Sequence, residues 1–215
     1  MKRFVVFLFF VGWVVASNAQ KMEDYFIRMP NELIAQLEEA WRKDLVILYK
    51  SGKSATLDNT MQGKSTLQKL TDHYILLQTT ERSTVEMKLL PLVNNTYIIG
   101  MIETVCAPVA DSRVTFYTTE WQRVDAESIF TPIDPNRFLK TDVNRSSPEY
   151  LYGSSKLDIS LIKYSLSDEN MILTAEYMTP LYLDEESRQK VKPLLKSEPQ
   201  KYEWKAGRFE FLEAP

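Results

Sequence analysis

The stretch from Thr84 to Thr104 reads TVEMKLLPLVNNTYIIGMIET, and it predicts the centre of an antiparallel sheet. Runs rich in Val, Ile, Thr and Tyr stand on both sides of Asn94-Asn95. Short runs of this kind around two turn-forming residues are typical of a β-hairpin. The same pattern continues outward as an antiparallel meander through two further runs, Tyr74 to Thr79 and Arg113 to Thr118.

A helical pattern precedes this meander, from Pro30 to Ser51. Apolar side chains recur at spacings of three and four, at Leu33, Leu37, Trp41, Leu45 and Leu48. Most charged residues, including Arg42, fall off this stripe, which predicts one buried face. The predicted fold class is therefore α+β, in which an antiparallel β-sheet of meander and hairpins packs against one long N-terminal amphipathic helix.

Further hairpins are predicted in the C-terminal part of the chain. Ser167 to Asn170 is a turn signal, and an even loop there pairs Leu166 with Met171, Tyr164 with Leu173 and Ile162 with Ala175 on one face. A short helix is expected from Asp184 to Leu195. A last hairpin is expected around Ala206-Gly207.

These patterns divide the chain into four segments. Residues 1–19 are a signal peptide, 20–130 the helix with the meander, and 131–148 a Pro-rich connection. Residues 149–215 carry the C-terminal hairpins of the same globular unit. The connection is also compatible with a subdomain boundary.

The first nineteen residues predict export. A short positive end precedes an apolar run from Phe4 to Ala16, shorter than the about 20 residues that span a bilayer. Small side chains at Ser17 and Ala19 favour cleavage before Gln20, with a membrane anchor as the alternative. We therefore expect a periplasmic or secreted protein with no stable membrane span after signal removal.

Composition excludes several classes of function. Of 26 Lys and Arg, Lys2 and Arg3 belong to the signal, which leaves 24 bases against 29 acids and a mature charge of −5. Such acidity argues against nucleic acid as a partner. The single cysteine, Cys106, excludes a disulfide framework within the chain. We expect this thiol to be unpaired and shielded in the core.

Two motifs have a superficial likeness to chemical sites. Gly63-Lys64-Ser65-Thr66 resembles the end of a phosphate-binding loop, but Asp58 stands where that loop needs glycine, so a turn between strands is predicted. His73 is the only histidine, which argues against a catalytic triad and against a histidine-based metal site. No catalytic, cofactor-binding or metal-binding residue is predicted, and no cofactor.

Carboxylates keep an enzymatic alternative open, because a glycoside hydrolase needs only two of them at a suitable separation. Asp184-Glu185-Glu186 is better interpreted as the N-terminal cap and first turn of a helix. Glu38-Glu39 is interpreted as a solvated helix face. The balance favours a protein that is not an enzyme.

The order of several segments resembles a known family. These segments are Phe26-Ile27-Arg28-Met29-Pro30, Gly63-Lys64-Ser65, Leu70-Thr71-Asp72-His73-Tyr74, Met87-Lys88-Leu89-Leu90-Pro91, Glu103-Thr104-Val105-Cys106-Ala107-Pro108 and Arg113-Val114-Thr115-Phe116-Tyr117 with Trp121. They resemble a secreted Bacteroidales family of unknown function, the domain-of-unknown-function 3256 family, mainly over Met22 to Phe138. The resemblance implies an envelope location in a Gram-negative bacterium and leaves the activity open.

The sequence therefore favours an exported, non-catalytic binding or interaction module of the bacterial cell envelope. Its expected partner is an envelope protein or a glycan. The alternatives are a carboxylate-based glycoside hydrolase and an inhibitor or accessory subunit of an exported enzyme.

Overall fold

The computed structural model describes residues 20–213, and the predicted signal peptide lies outside them. The strands are β1 (Thr56–Asp58), β2 (Lys64–Leu70), β3 (Tyr74–Thr80), β4 (Ser83–Pro91), β5 (Tyr97–Cys106), β6 (Ala110–Thr118), β7 (Arg123–Val124), β8 (Ile162–Leu166), β9 (Ile172–Tyr177), β10 (Gln200–Lys205) and β11 (Arg208–Leu212). The α-helices are α1 (Met22–Arg28), α2 (Glu39–Lys50), α3 (Pro148–Ser155), α4 (Thr179–Tyr182) and α5 (Glu185–Val191). Short 3-10 turns lie at Asn31–Leu33, Pro135–Phe138 and Lys192–Leu194.

These elements form three layers. The middle layer is a seven-stranded antiparallel sheet in the order β1 to β7. One of its faces packs against α1, α2 and the segment between them. The other face packs against a four-stranded sheet in the order β11-β10-β9-β8. The seven-stranded sheet therefore has an apolar core on each side.

The hairpin at the centre of the sheet confirms the prediction from Thr84 to Thr104. β4 pairs with β5 from Ser83–Val105 to Pro91–Tyr97, and Asn95 adopts a φ of 60° in the turn. Every residue from Val85 to Leu90 is buried. Alternate side chains of a strand point to opposite faces, so β4 supplies both cores in turn.

The long N-terminal helix predicted from Pro30 to Ser51 is wrong. The chain forms a single 3-10 turn at Asn31–Leu33, runs on irregularly, and becomes α-helical only at Glu39. The broad class α+β still describes the molecule, but its helices are short and two sheets replace one. Ile34 and Leu37, between the turn and α2, are 2% and 0% exposed. The irregular segment therefore also buries apolar side chains, and their spacing resembled that of a helix.

Arg42 explains how this irregular segment is tolerated beneath a sheet. Its side chain is 0% exposed, contrary to its predicted position on a solvated face. The guanidinium donates to the carbonyl of Leu37 at 2.6 Å, to that of Ile27 at 3.1 Å, and also to that of Met29. Buried carbonyls without a donor are costly. One planar cation thus pairs with carbonyls at the end of α1 and in the irregular segment before α2.

The second sheet preserves the predicted buried face of the β8–β9 hairpin but not its register. Leu166 pairs with Leu173 and Tyr164 with Ala175, a shift of two residues from the predicted pairs. A shift of two keeps the same side chains on the same face. Accordingly, the alternate residues of both strands still enter the inter-sheet core. The short helix α5 and the last hairpin, β10–β11, confirm the remaining C-terminal predictions.

The edge strand β8 rests on polar side chains of the larger sheet. The main-chain N–H of Ile162 donates to Asp111 at 3.0 Å, and that of Tyr164 donates to Ser112 Oγ at 3.1 Å. The next outward N–H, of Leu166, donates to the Glu86 carboxylate at 2.8 Å. Three edge donors that would otherwise lie unpaired at the interface are therefore satisfied.

Candidate functional site

The motif Gly63-Lys64-Ser65-Thr66 is only partly the predicted turn between strands, because Gly63 lies in the turn and the other three residues begin β2. The side chain of Asn59 accepts hydrogen bonds from the N–H groups of Met61 and Gly63 at 3.0 and 3.1 Å. Ser65 is 0% exposed, and its hydroxyl donates to the carbonyl of Thr79 at 2.8 Å. These contacts give the motif a structural role in closing β1 onto β2.

His73 and Cys106 lie toward opposite ends of the β4–β5 pair. His73 O accepts from Leu89 N at 2.9 Å, whereas Cys106 N donates to Arg82 O at 2.8 Å. The seven positions from Arg82 to Leu89 correspond to about 20 Å of strand, so the two side chains do not form a catalytic pair. The expectation that Cys106 is shielded is wrong, because this free thiol is exposed where β5 runs beyond the covering layers.

One carboxylate with a shifted pKa, that of Glu86, is enclosed in the protein. Burial raises the pKa of Glu86, against the opposing effect of hydrogen bonds from Leu166 N and from the Tyr74 hydroxyl, the latter at 3.2 Å. Glu86 is 8% exposed and lies between the two sheets. Its raised pKa therefore reflects burial between the sheets, and the hydrogen bond by which it holds β8 opposes that rise. Asp184 caps α5 by accepting from Ser187 N at 2.9 Å, which confirms the predicted capping.

One concave feature is an open groove of about 730 Å³ beside the four-stranded sheet. The end of β9, helices α4 and α5, and segment 195–199 form its walls. Such a volume falls within the range of about 300–1,000 Å³ typical of ligand sites. We call this feature the β9–α5 groove.

The groove exists because two neighbouring strands part. β9 and β10 pair as far as Ala175 with Gln200, and Pro199 stands directly before the first residue of β10. The chain before Pro199 is held elsewhere: Lys196 N donates to Phe138 O at 2.8 Å, next to an isolated bridge between Leu139 and Leu195. This bridge keeps segment 195–199 away from the end of β9.

The interior of the groove is largely apolar. The rings of Phe138 and Tyr177 stack with centroids 4.9 Å apart and planes 7° from parallel. Met178 and Leu181 line the neighbouring wall. Leu181 is 52% exposed, as is Tyr182 beside it on α4. Apolar surface thus continues from the groove onto α4.

Two of the three glutamates that line the groove are already engaged. Glu176 forms an ion pair with Lys163 at 3.5 Å. Glu185 forms one with Arg188 at 3.4 Å. Both pairs lie in solvent-exposed surroundings, so each contributes little stability, but each offsets a local charge.

The cations of the groove are less compensated. Lys140, Lys192 and Lys196 line it, and within residues 20–213 they form no ion pair. Lys140 donates to the carbonyl of Pro193 at 2.8 Å. Set against the remaining acid, Glu198, these three lysines give the rim an excess of positive charge on an acidic protein.

Sequence analysis did not predict this groove, because its walls come from three separated parts of the chain. Residues 138–140, 176–181 and 185–199 meet only after the second sheet has formed. The local signals were Pro180, Pro193 and Pro199, which interrupt regular structure around it.

Across residues 20–213, His, Cys, Asp and Glu do not gather in a group of three able to hold a metal ion. None of the helices described there is long and apolar enough to cross a membrane.

Comparison with known proteins identifies a family and a solved structure of similar fold. The family model described as "Protein of unknown function (DUF3256)" matches residues 14–209, including the C-terminal part where the resemblance in sequence is weaker. The solved structure of a domain of an uncharacterized protein from Porphyromonas gingivalis W83 is similar, with 28% identity and a TM-score of 0.82. The alignment covers 90% of this chain and 100% of that one. No curated protein matches significantly.

Proposed function

This chain belongs to the DUF3256 family, and from that premise we propose that it is an exported, non-catalytic binding module of the bacterial cell envelope. Its ligand binds in the β9–α5 groove. The observation that carries this proposal is the groove itself, which combines apolar walls with a rim of uncompensated lysines. Concave apolar sites with a few polar groups are the usual form of ligand sites.

Export is supported by the sequence of residues 1–19, which has the form of a secretory signal. The expected mature protein begins at Gln20 and is periplasmic or secreted. N-terminal sequencing of the protein from its own cells tests this directly. A mature chain that retains Phe4 to Val15 contradicts it.

Groove binding is tested with two matched charge insertions. Leu181 lies at the groove and Ile47 lies on α2, on the other side of the molecule, and they are 52% and 54% exposed. Each is changed to Glu, and the tagged variants are used for affinity capture from the native cells. We expect Leu181→Glu to lose its bound ligand and Ile47→Glu to retain it. Equal capture by both variants contradicts a groove site.

A glycoside hydrolase is the second candidate, favoured by one observation. Glu176, Glu185 and Glu198 all line the groove. Hydrolysis needs two facing carboxylates, one of which holds a proton. Release of reducing sugar from a polysaccharide that Glu198→Gln abolishes would support the hydrolase. Retention of that activity in Glu198→Gln would exclude Glu198 from the reaction.

A further inference from the structure

The main chain at the end of β9 has a free side that faces the β9–α5 groove. Met178 N donates to Leu161 O at 2.8 Å, so the even-numbered residues here direct their hydrogen bonds to β8. The odd-numbered residues serve β10, as in the bond from Trp204 N to Met171 O at 2.9 Å. Their ladder ends at Ala175 with Gln200. The next odd residue is Tyr177, whose N–H and C=O therefore point to the side that β10 has left.

Free strand edges bind other extended chains. An added strand forms main-chain hydrogen bonds with the edge, and alternate side chains enter pockets beside it. Tyr177 provides such an edge within a groove rather than on an open surface. Its far wall, segment 195–199, is held away by the bridge between Leu139 and Leu195. The site thus has a strand edge on one side and a fixed wall on the other.

The positive charge of the groove favours certain side chains in an extended chain bound there. Lys192 and Lys196 are exposed on the wall opposite β9, and they form no ion pair within the part of the chain described. Glu176 and Glu185 are already paired with bases. A ligand with carboxylates beside apolar side chains complements both the lysines and the apolar walls.

A polysaccharide fits these features less well. Sugars are usually bound through exposed aromatic ring faces, whereas Phe138 is 3% exposed and stacks on Tyr177. A sugar also lacks the repeating N–H and C=O groups with which an extended peptide pairs along a strand edge. The main-chain groups at Tyr177 therefore favour a polypeptide ligand.

We propose that the β9–α5 groove binds an extended, acidic peptide segment of a partner protein by strand addition at Tyr177. The inference rests on the proposed function and specifies its ligand. Main-chain hydrogen bonds to Tyr177 align the peptide alongside β9. Lys192 and Lys196 select for Asp and Glu in it.

The probe is an array of immobilised random decapeptides, incubated with the labelled mature protein. Bound peptides should be enriched in Asp and Glu combined with apolar residues. The tightest binder is then resynthesised in two forms, each N-methylated at one set of alternate amides. One form should lose at least about tenfold in affinity, equivalent to about 1.4 kcal/mol, and the other should bind nearly normally. Equal tolerance of both sets overturns strand addition.

Charge selection is tested with Lys192→Glu/Lys196→Glu and a matched control. Both lysines are exposed, so the fold should survive, which an unchanged melting midpoint verifies. The control is Lys53→Glu/Lys64→Glu, an equal charge change at exposed positions away from the groove. Peptide affinity should fall at least about tenfold in the first variant and less than about twofold in the control. Equal losses in both overturn the assignment of these lysines.

An acidic oligosaccharide, oligogalacturonate, separates failure of this inference from failure of the proposed function. Binding of oligogalacturonate but of no peptide, abolished by Leu181→Glu, overturns the peptide inference and leaves groove binding intact. Absence of both, together with equal capture by Leu181→Glu and Ile47→Glu, overturns the inference and the groove function together.

Discussion

One face of the seven-stranded sheet is covered by short helices and irregular chain, and the other by a second sheet. The irregular layer presents carbonyl groups, and a buried cation, Arg42, satisfies them. The second sheet presents the N–H groups of an edge strand, and three acceptors, Glu86, Asp111 and Ser112, satisfy those. The comparison teaches that each covering layer is held by side chains that complement its unpaired backbone groups. Donors pair with carbonyls on one face, and acceptors pair with N–H groups on the other.

This comparison predicts the largest loss of stability at Arg42. Arg42→Met keeps an apolar stem but leaves the carbonyls of Ile27, Met29 and Leu37 without this donor. Buried unpaired groups cost about 1 to 3 kcal/mol each, so we expect a loss of about 3 to 5 kcal/mol in urea unfolding. The control is Lys43→Met, at the exposed neighbouring position. If Arg42→Met lowers the free energy of unfolding no more than Lys43→Met does, Arg42 does not hold the N-terminal layer.

A smaller loss is expected on the opposite face. Asp111→Ala/Ser112→Ala removes the acceptors of Ile162 N and Tyr164 N. We expect the free energy of unfolding to fall by about 2 to 4 kcal/mol. Amide hydrogen exchange should accelerate at Ile162 and Tyr164 more than at residues of the N-terminal layer. Uniform acceleration through both layers would show that the two faces are not separately fixed.

The pH dependence of stability separates the faces further. Because burial raises the pKa of Glu86, the folded state holds that proton more tightly than the unfolded state, whose value is about 4.3. At low pH the Glu86 carboxyl is protonated, and burial then costs the folded state little. This contribution to stability is lost as the pH rises through the folded pKa. Relative to Glu86→Gln, the wild type should therefore lose stability as the pH rises above the unfolded pKa of about 4.3. A difference that stays flat or grows with pH contradicts this assignment.

The smallest effect is expected at Cys106, which lies outside both buried interfaces. Cys106→Ser should change the free energy of unfolding by less than about 0.5 kcal/mol, as is usual for exposed positions. The native thiol should react with a thiol reagent at a rate near that of the unfolded protein. Slow labelling that denaturant accelerates would place it inside one of the cores after all.

Local sequence patterns predicted the strands well, because their causes are local. A run with β-branched residues ends at a turn such as Asn94-Asn95, and a two-residue period determines which side chains share a face. The meander from β3 to β6, the final hairpin and α5 follow from such signals. The predicted β8–β9 register was wrong by two residues. The apolar pattern shows only which residues share a face, and a shift of two residues leaves that face unchanged, so the pattern did not fix the register.

The N-terminal layer shows where local pattern fails. The spacing of Leu33, Leu37 and Trp41 satisfied a helical period, yet the chain before Glu39 is mostly irregular. Hydrogen bonds from Arg42, up to 15 positions away in sequence, make that conformation stable. No periodicity reveals such a donor, because a charged residue off an apolar stripe ordinarily lies in solvent.

The sequence by itself determined the antiparallel strands, since these depend on residue type and short spacing, and its export signal stays a prediction. Only the tertiary structure decided that two sheets stack, that Glu86 and Arg42 are buried, and that a groove opens beside β9. The groove depends on Phe138 holding Lys196 away from the sheet, a contact between residues 58 positions apart. Contacts at such distances form only when the layers pack, because packing determines which distant backbone groups must find partners.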